Sequence, residues 1–488
     1  MWRHPKTHHP PRQTLPASHE WPSGGRVIFY IQRLKMTNNE IHQLILNFQR
    51  RYRSSGRPIR VNFRKLVPEL NGSDRYTHFI HTYPAKLLNI IPYFFFQTED
   101  FCPINGAVLD PFCGTGTVLL EANLSGRNAF GADANPLARL ITAVKTTYIP
   151  HDRLLKEIEA LVKRAKKSKS KLTWKTEIID YWFSQNVISQ LEKIRVAIDG
   201  VKNINEKKFF LLCFSSLVKK VSFADPSISV PVKLNPKRFD AYPVRKQEAQ
   251  ERLFSLENVD VYEKFKSICL QNADRISTLK DCKRKKIKSK IVSKDARRLT
   301  TSLRGKQLLE NECVDLVLTS PPYAGAQKYI RSSWLNLFWL NGVSSKDIQE
   351  LNNQNIGKED YVKADVDKCV KTFIPTVDRI LNRLYKEGKN VRACIVGNYI
   401  NEMKKALDES IRVLKKNGYL IMIIGNNTVC GKPFNTQQYL TSYMQEKGMS
   451  LQFKLIDDIK SYGLMTKRNK TASRISREWV LVLRKEGR

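Results

Sequence analysis

The chain is predicted to be an α/β protein with a doubly wound parallel sheet and a mainly helical inserted domain. Two apolar runs, 107–112 and 314–318, are typical of buried parallel strands. The first run leads through a glycine-rich turn into a helical pattern, the order expected of a strand–turn–helix unit in such folds. The chain has 488 residues, enough for roughly two or three domains.

Two segments precede the first of these strands. Residues 1–35 are rich in proline and histidine and lack hydrophobic periodicity, so we expect a disordered tail and regard Met36 as a candidate start. Residues 36–74 are predicted to be a helical lead-in, because Ile41, Ile45 and Phe48 recur at helical spacing.

A glycine turn follows the first predicted strand. Gly114 and Gly116 would let the backbone come close to a ligand at the start of the next helix, 118–125. Asp133 follows about twenty residues after the loop, the usual offset for an acid that holds ribose hydroxyls. A P-loop would need Lys-Ser or Lys-Thr after the glycines, and a dinucleotide fold would need a third glycine where Leu119 stands. A phosphate-binding loop is therefore disfavoured.

Residues 151–289 are more than the simple fold needs. Apolar residues recur at helical spacing from Leu154 to Ala165 and again over 209–218, whereas 222–236 is rich in turn residues. Basic runs lie at 163–171 and 283–290. We predict a basic, mainly helical insert that binds a polyanion, with a purely structural helical cap as the alternative.

The second apolar run ends in Ser320-Pro321-Pro322-Tyr323. Proline cannot continue a ladder of hydrogen bonds, so this turn is rigid and lies at the carboxyl end of a strand, where open α/β sheets bind ligands. The Ser320 hydroxyl and the Pro321 carbonyl can accept the two protons of an NH2 group while Tyr323 stacks on a flat ring. An ordinary strand-ending turn is the alternative.

These groups suit methylation of the exocyclic amine of a nucleobase. The two hydrogen bonds would relocalise the nitrogen lone pair for direct attack on a methylsulfonium. Inside a duplex the amine is unreachable, so the base must be flipped out and held by stacking. We therefore expect Tyr323 and the turn at 114–116 to share one cavity.

Two later segments complete the prediction. The aromatic-rich segment 329–339 is assigned mainly to core packing rather than to base stacking. Residues 399–416 are predicted to form an amphipathic helix that is ended by Gly418 and covers one face of the sheet.

At these motifs the chain resembles S-adenosylmethionine-dependent DNA amino-methyltransferases, in the form typical of N4-cytosine enzymes. Residues 318–323 match the signature of that family, 110–117 look like its cofactor loop, and 131–136 resemble the following acidic motif. Further similar segments are 81–86 with Pro92, 293–297, 418–426 and 477–485. The resemblance covers 75–150 and 290–488 and implies a seven-stranded, Rossmann-like methyltransferase sheet.

The resemblance also implies roles for individual residues. Asp110 would hold the methionine ammonium of S-adenosylmethionine, Asp133 its ribose hydroxyls and Asp295 its adenine amino group. The implied cofactor-binding residues are Tyr83, Pro84, Asp110, Phe112, Gly114, Gly116, Asp133 and Asp295. The implied catalytic residues, which would bind and orient the base, are Ser320, Pro321, Pro322 and Tyr323.

Composition agrees with a nucleic-acid partner. The chain has 84 Lys and Arg against 46 Asp and Glu, a formal net charge of +38. We expect it to bind double-stranded DNA, with 151–289 as the candidate target recognition region. A restriction–modification setting, with a possible cognate restriction endonuclease, would fit such an enzyme.

Other features narrow the class of protein. No run of eighteen apolar residues occurs, so we expect no membrane span. Nine cysteines without a Cys-x-x-Cys pair indicate a reduced, cytoplasmic protein. All eight histidines lie at or before His151, and no metal site is predicted.

Several related reactions are alternatives. A cytosine-C5 methyltransferase needs a cysteine nucleophile, usually after proline, and no Pro-Cys dipeptide occurs. N6-adenine transfer uses nearly the same chemistry, and only Ser320, where an acidic residue or Asn is more usual, favours cytosine. An RNA guanine-N2 methyltransferase and an inactive DNA-binding scaffold remain as further alternatives.

Overall fold

Parallel strands with buried apolar side chains form the centre of the fold. The computed structural model describes residues 36–70, 75–84, 86–169, 179–280, 287–324, 329–359, 361–366, 368–458 and 477–487, all of which belong to one compact unit. The predicted tail, 1–35, lies outside the described residues. The strands are β1 (Ile59–Val61), β2 (Ala107–Asp110), β3 (Asn128–Ala132), β4 (Ser289–Ser293), β5 (Val314–Thr319), β6 (Leu414–Ile424), β7 (Asn427–Val429), β8 (Lys432–Phe434), β9 (Met449–Asp458) and β10 (Arg477–Lys485).

The main sheet has the order β1-β9-β10-β6-β5-β2-β3-β4, while β7 and β8 form a separate hairpin. From β2 the chain steps outward through β3 to β4 and then returns to β5 on the other side of β2. All neighbours pair in parallel except β10, which is antiparallel to both β6 and β9. This order agrees with the predicted doubly wound α/β sheet.

The predicted strand count of seven was wrong, because eight strands of the main sheet lie within the described residues alone. The additional strand, β1, pairs in parallel with the carboxyl-terminal part of β9, where Ile59 lies opposite Leu455. It lies within the segment predicted to be a helical lead-in, between the helices Asn38–Ser55 and Phe63–Leu66. Its three residues bury Ile59 and are too few to show an alternating pattern in the sequence.

Helices cover both faces of the sheet. Outside 151–289 they are Asn38–Ser55, Phe63–Leu66, Ile90–Phe96, Thr117–Leu124, Pro136–Lys145, Tyr329–Asn341, Ser345–Gln354, Lys363–Val366, Pro375–Lys386, Asn390–Val413 and Thr436–Glu446, with a 3-10 turn at Pro68–Leu70. Most side chains of Tyr329–Asn341 are buried in a hydrophobic cluster, which agrees with the expected core packing of this aromatic-rich segment.

In the described part of 151–289, six helices account for most of the residues. They are His151–Lys167, Ile179–Trp182, Gln185–Asp199, Ile204–Lys220, Pro243–Glu257 and Val261–Ser277, with a 3-10 turn at Pro236–Phe239. Their apolar side chains form one buried cluster with the helix Tyr329–Asn341 and with Tyr83. Parts of both basic runs lie outside the described residues, and the role of this region in recognising a target remains a prediction.

The helix predicted at 399–416 has different bounds. It spans Asn390–Val413, and Gly418 lies in β6 rather than at a helix end. A Cβ at Gly418 would lie 2.9 Å from the Asp315 carbonyl, so this glycine allows close approach of β6 to β5. In the part of the chain that the structure describes, every helix is too short or too polar to cross a lipid bilayer.

Candidate functional site

The carboxyl ends of four parallel strands meet at one edge of the sheet. β2 ends at Asp110, β3 at Ala132, β4 at Ser293 and β5 at Thr319. The chain leaves β2 toward β3 on one side and comes back to β5 on the other, so a topological switch point lies between β2 and β5. Open α/β sheets bind ligands at such points.

A cleft lies at this edge. Its empty volume is about 690 Å³, part of it open to solvent, which is within the range of roughly 300–1,000 Å³ typical of ligand sites. The cleft is lined by residues after β2 (Pro111, Phe112, Gly114), after β3 (Asp133, Ala134, Asn135), after β4 (Lys294, Asp295, Ala296) and after β5 (Ser320, Pro322), together with Tyr83, Tyr329, Gln354, Asn355 and Ile356.

The glycine turn and Asp133 are joined by hydrogen bonds. The Gly114 N–H donates to Asp133 Oδ2 (2.9 Å), and the Asn135 N–H donates to Oδ1 (2.8 Å). Burial raises the pKa of Asp133 above its ordinary value, against the effect of these two bonds. Each oxygen retains acceptor capacity, since a carboxylate offers about four lone-pair sites. Asp133 can therefore accept further hydrogen bonds from a ligand in the cleft.

The two glycines of the turn have different surroundings. Gly114 has a φ of +50°, and a Cβ added there would have the Phe112 carbonyl, 4.0 Å away, as its nearest neighbour. Gly116 has a φ of +72°, and its Cβ would lie 2.7 Å from Thr142 Cγ2. Gly114 thus leaves room for a ligand, whereas Gly116 allows the helix Pro136–Lys145 to pack against the turn.

Asp110 lies beneath the cleft rather than on its surface. The Thr319 hydroxyl donates to Asp110 Oδ1 (2.5 Å), and the Phe112 N–H donates to the same oxygen (3.1 Å). Burial raises the pKa of Asp110 to about 7, although both hydrogen bonds act in the opposite direction. The first of these bonds joins the ends of β2 and β5 directly.

A hydrogen-bonded group of polar side chains is centred on Asn135, which lines the cleft. Asn135 Nδ2 donates to the Tyr83 hydroxyl (3.0 Å) and to Ser333 Oγ (3.2 Å), which fixes all three side chains. Asn135 also caps the helix Pro136–Lys145 by accepting the Leu137 N–H (3.0 Å). The predicted residue Tyr83 therefore lies in the cleft, held by a partner that the sequence did not indicate.

The two ends of the Ser-Pro-Pro-Tyr turn face different surroundings. Ser320 and Pro322 line the cleft together with Gly114. The Tyr323 hydroxyl instead donates to Glu478 Oε1 (3.0 Å), at the start of β10. Burial and the Glu478 carboxylate raise the pKa of Tyr323 well above its ordinary value, and burial raises that of Glu478 as well.

The structure brings most of the predicted site residues together. Those that line the cleft are Tyr83, Phe112, Gly114, Asp133, Asp295, Ser320 and Pro322. The predicted residues that are not among its lining are Pro84, Asp110, Gly116, Pro321 and Tyr323. The expectation that Tyr323 and the turn at 114–116 share one cavity is therefore not met, because Tyr323 is not among the residues that line the cleft; Ser320 and Pro322 of the same turn do line it, together with Gly114.

Several lining residues were missed from the sequence. Tyr329 begins a helix, Gln354 ends another one, and Asn355 and Ile356 follow it; these segments contain no motif. Asn135 could have been found, because an Asn-Pro pair after a strand is a frequent start of a helix. The ranges that the structure describes contain no group of three or more His, Cys, Asp or Glu suited to a metal ion.

The residues that line the cleft fit S-adenosylmethionine. Asp133 and Asp295 are acceptors for hydroxyl and amino groups, and the open space beside Gly114 permits close approach of a ligand to the backbone. Tyr83, Phe112 and Tyr329 add aromatic surface for the apolar parts. These residues would hold a nucleoside with an amino-acid tail.

Comparisons with known proteins also indicate a methyltransferase. Residues 100–189 match the methyltransferase domain described as UPF0020, RMKL-like. The chain is 26% identical over 395 residues to the type II methyltransferase M.MvaI of Kocuria varians, covering 75% of this chain and 82% of that protein. It is 22% identical over 455 residues to the type II methyltransferase M.AvaI of a Nostoc species and of Anabaena variabilis, covering 87% of this chain and 88% of each relative.

Fold, cleft and relatives together support a methyltransferase. The domain match includes the glycine turn and Asp133 but ends before Ser320. It therefore bears on the half of the cleft predicted to bind the cofactor, whereas the similarity to type II methyltransferases extends over most of the chain.

Proposed function

We propose that this protein is a site-specific DNA methyltransferase that transfers a methyl group from S-adenosylmethionine to the N4 amine of a flipped cytosine. The observation that carries the proposal is the shared cleft: Ser320 and Pro322 after β5 lie in the same cavity as Gly114 and Asp133. A base-binding turn and a nucleoside-binding turn thus meet at one switch point.

Cofactor binding is assigned to one half of the cleft. Asp133 would accept the ribose hydroxyls and Asp295 the adenine amino group, while Tyr83 and Phe112 pack against the methionine part. When bound, S-adenosylmethionine supplies a methyl group on a positively charged sulfur. When ionised, Asp110 would attract the methionine ammonium from beneath the turn at Phe112.

The other half of the cleft is assigned to the target base. The Ser320 hydroxyl and the Pro321 carbonyl would accept the two amine protons and draw the nitrogen toward tetrahedral geometry. Tyr323 would support the ring of the base after flipping. In the structure its hydroxyl is held by Glu478, so stacking on the base requires either that the base reaches this ring or that the ring turns toward the cleft.

DNA is the proposed substrate for two reasons. The relatives M.MvaI and M.AvaI are type II methyltransferases, which supports a restriction–modification setting with a cognate endonuclease. The formal net charge of +38 also favours a polyanionic partner. Residues 151–289 are proposed to read the target sequence, and a cytoplasmic location would follow from this function.

Analysis of the reaction product tests the proposal directly. The protein is expressed in a host without DNA methylation. The host DNA and RNA are both examined by nucleoside mass spectrometry, and the DNA also by modification-sensitive long-read sequencing. N4-methylcytosine in one sequence context is expected. N6-methyladenine would move the assignment to the adenine class, and methylated guanine in RNA alone would overturn a DNA substrate.

Substitution of the turn after β5 tests the assigned roles. Ser320→Ala and Tyr323→Ala should each lower the methylation rate at least about 100-fold, the order expected on loss of a positioning contact to the reacting group. The affinity for S-adenosylhomocysteine, measured by calorimetry, should change less than about threefold, because neither residue is assigned to the cofactor.

Ser450→Ala is the matched control for these variants. Ser450 lies at the start of β9, at the opposite edge of the sheet from the cleft, and its hydroxyl contacts the Arg484 carbonyl. Its methylation rate should equal that of the wild type. Full activity in a Ser320→Ala, Tyr323→Ala double variant would contradict the assignment.

A further inference from the structure

Arg297 makes contacts to three segments around the cleft. Its Nε donates to Asp295 Oδ1 (2.8 Å) and its Nη2 to Asp295 Oδ2 (2.9 Å), a two-pronged ion pair. Nη2 also donates to the Gln354 carbonyl (3.1 Å), and Nη1 contacts the Glu402 carboxylate. Arg297 therefore connects the turn after β4 with the lining segment at 354–356 and with the helix Asn390–Val413.

The orientation of the Asp295 carboxylate is fixed by these bonds. Besides the two guanidinium bonds, the Arg297 backbone N–H donates to Oδ1 (2.9 Å). A carboxylate offers about four acceptor sites, so three bonds leave about one site, on Oδ2. Asp295 is one of the residues that line the cleft, and its side chain is 40% exposed. The remaining lone pair of Oδ2 can thus accept a hydrogen bond from a ligand in the cleft, and its orientation is fixed.

An ionised carboxylate accepts hydrogen bonds and cannot donate them. A fixed carboxylate in the cleft favours a ligand with an N–H at that point and disfavours one without it, since an acceptor left unpaired is costly. Lysine could not replace the arginine, because a single ammonium lacks the planar fork that grips both carboxylate oxygens.

We infer that Arg297 is a positioning residue that holds Asp295 as the acceptor for the 6-amino group of a purine, and thereby sets the purine specificity of the cleft. This inference rests on the proposed function, because it takes the bound nucleoside to be that of S-adenosylmethionine. Arg297 itself makes no assigned contact to the ligand.

Calorimetry with two ligands tests the inference without any measurement of activity. The ligands are S-adenosylhomocysteine and its 6-deamino analogue, in which hydrogen replaces the amino group. The wild type should bind the first roughly 10- to 100-fold more tightly, the range of one hydrogen bond to a charged group. In Arg297→Ala this preference should fall below about threefold, with weaker binding of S-adenosylhomocysteine.

Two further variants keep the test decisive. Arg297→Lys retains the positive charge without the planar guanidinium group, and should also lose most of the preference for S-adenosylhomocysteine over its 6-deamino analogue. This variant tests the inference if Arg297→Ala does not fold. Arg298→Lys is the matched control, since the exposed Arg298 side chain donates to the Lys306 carbonyl (3.3 Å), and neither residue is among those that line the cleft. Its preference should equal that of the wild type.

The outcomes separate this inference from the proposed function. A preference that survives in folded Arg297→Ala or Arg297→Lys overturns the role of Arg297. A wild type that binds both ligands equally well overturns the role of Asp295 as acceptor and leaves the proposed function standing. A wild type that binds neither ligand contradicts the proposed function itself.

Discussion

Asp110 is a buried carboxyl group whose protonation is linked to folding. Its pKa of about 7 lies above the ordinary value of about 3.9, so between these pH values the folded protein binds a proton that the unfolded chain has lost. The contribution of Asp110 to the free energy of unfolding therefore falls as the pH rises from about 4 to about 7.

Asp110→Asn should remove this pH dependence. The amide keeps an oxygen that can accept from Thr319 but does not titrate. Urea unfolding of both proteins between pH 5 and pH 8 measures the difference in their free energy of unfolding. Below pH 7 this difference should change by at most about 1.4 kcal/mol per pH unit. Other titrating groups contribute equally to both proteins, so identical pH profiles would contradict the assigned pKa.

The glycines of the turn after β2 should respond differently to substitution. Gly116→Ala places a Cβ 2.7 Å from Thr142 at a φ of +72°, and should destabilise the fold by about 1–3 kcal/mol. Gly114→Ala places a Cβ in open space at a φ of +50°, and should lower the free energy of unfolding by only about 1 kcal/mol. It should, however, weaken the binding of S-adenosylhomocysteine more than Gly116→Ala does. Denaturant unfolding and calorimetry of both variants check this; equal effects on stability would contradict it.

Single residues were predictable from the sequence where a strand end and a motif coincide. Gly114, Asp133, Asp295 and Ser320 each lie within four residues after the end of a parallel strand, so the topology brings them to one edge of the sheet. The direction of the Tyr323 side chain was not predictable, because its partner Glu478 lies 155 positions further along the chain. A motif identifies a backbone position, whereas long-range packing decides where the side chain points.

Among the elements, the end of the helix Ile90–Phe96 depends on a buried arginine. Arg127 donates to the carbonyls of Phe96 (3.0 Å), Thr98 (2.6 Å) and Cys102 (2.9 Å), and it is 1% exposed. It thus donates hydrogen bonds to carbonyl groups of the helix end and the following loop that have no intrahelical partners.

Arg127→Lys should destabilise the protein by about 2–4 kcal/mol, because one ammonium cannot serve three separated acceptors. Guanidinium unfolding measures this change. Arg53→Lys, at the exposed end of the helix Asn38–Ser55, is the matched control and should change the free energy of unfolding by less than about 0.5 kcal/mol. An Arg127→Lys variant as stable as the control would contradict the role of these bonds.

Element bounds were predictable where the apolar period is regular and failed where packing overrides local preference. The first nine residues of Asn390–Val413 were missed because Gly397, Val391 and Asn398 are weak helix formers. A Cβ at Gly397 would lie 2.7 Å from Val370, so the glycine is explained by tertiary contact. The strand β10 was placed with its observed bounds, Arg477–Lys485, because five consecutive apolar or aromatic residues mark it.

At the scale of the whole molecule, charge should govern DNA affinity. Binding to a duplex should weaken as salt rises, by roughly 0.9 decades per decade of salt for each neutralised phosphate. Part of the first basic run is paired internally, Arg164 with Glu157 (2.7 Å) and Lys166 with Glu263 (3.3 Å). Such exposed pairs contribute little energy and leave these side chains able to contact phosphates.

A pair of lysines in this run tests its contribution. Lys163→Gln with Lys167→Gln should reduce the salt slope by as much as about 1.8, if both contact phosphates. Lys416→Gln with Lys447→Gln is the control of equal charge, located at the amino edge of the sheet, and should leave the slope unchanged. Fluorescence anisotropy over a salt series measures both slopes, and equal slopes would assign the run to a solvated surface.

The order of the strands also has a consequence for how the protein behaves in concentrated solution. The outermost strands offer backbone groups that another chain could extend into a larger sheet. On one side, three residues of β1 cover the end of β9. On the other, β4 carries the exposed Lys290 and follows Lys288, and cationic side chains at such a margin repel an approaching copy. We therefore expect Lys288 and Lys290, the last lysines of the second basic run, to oppose edge-to-edge association of two molecules.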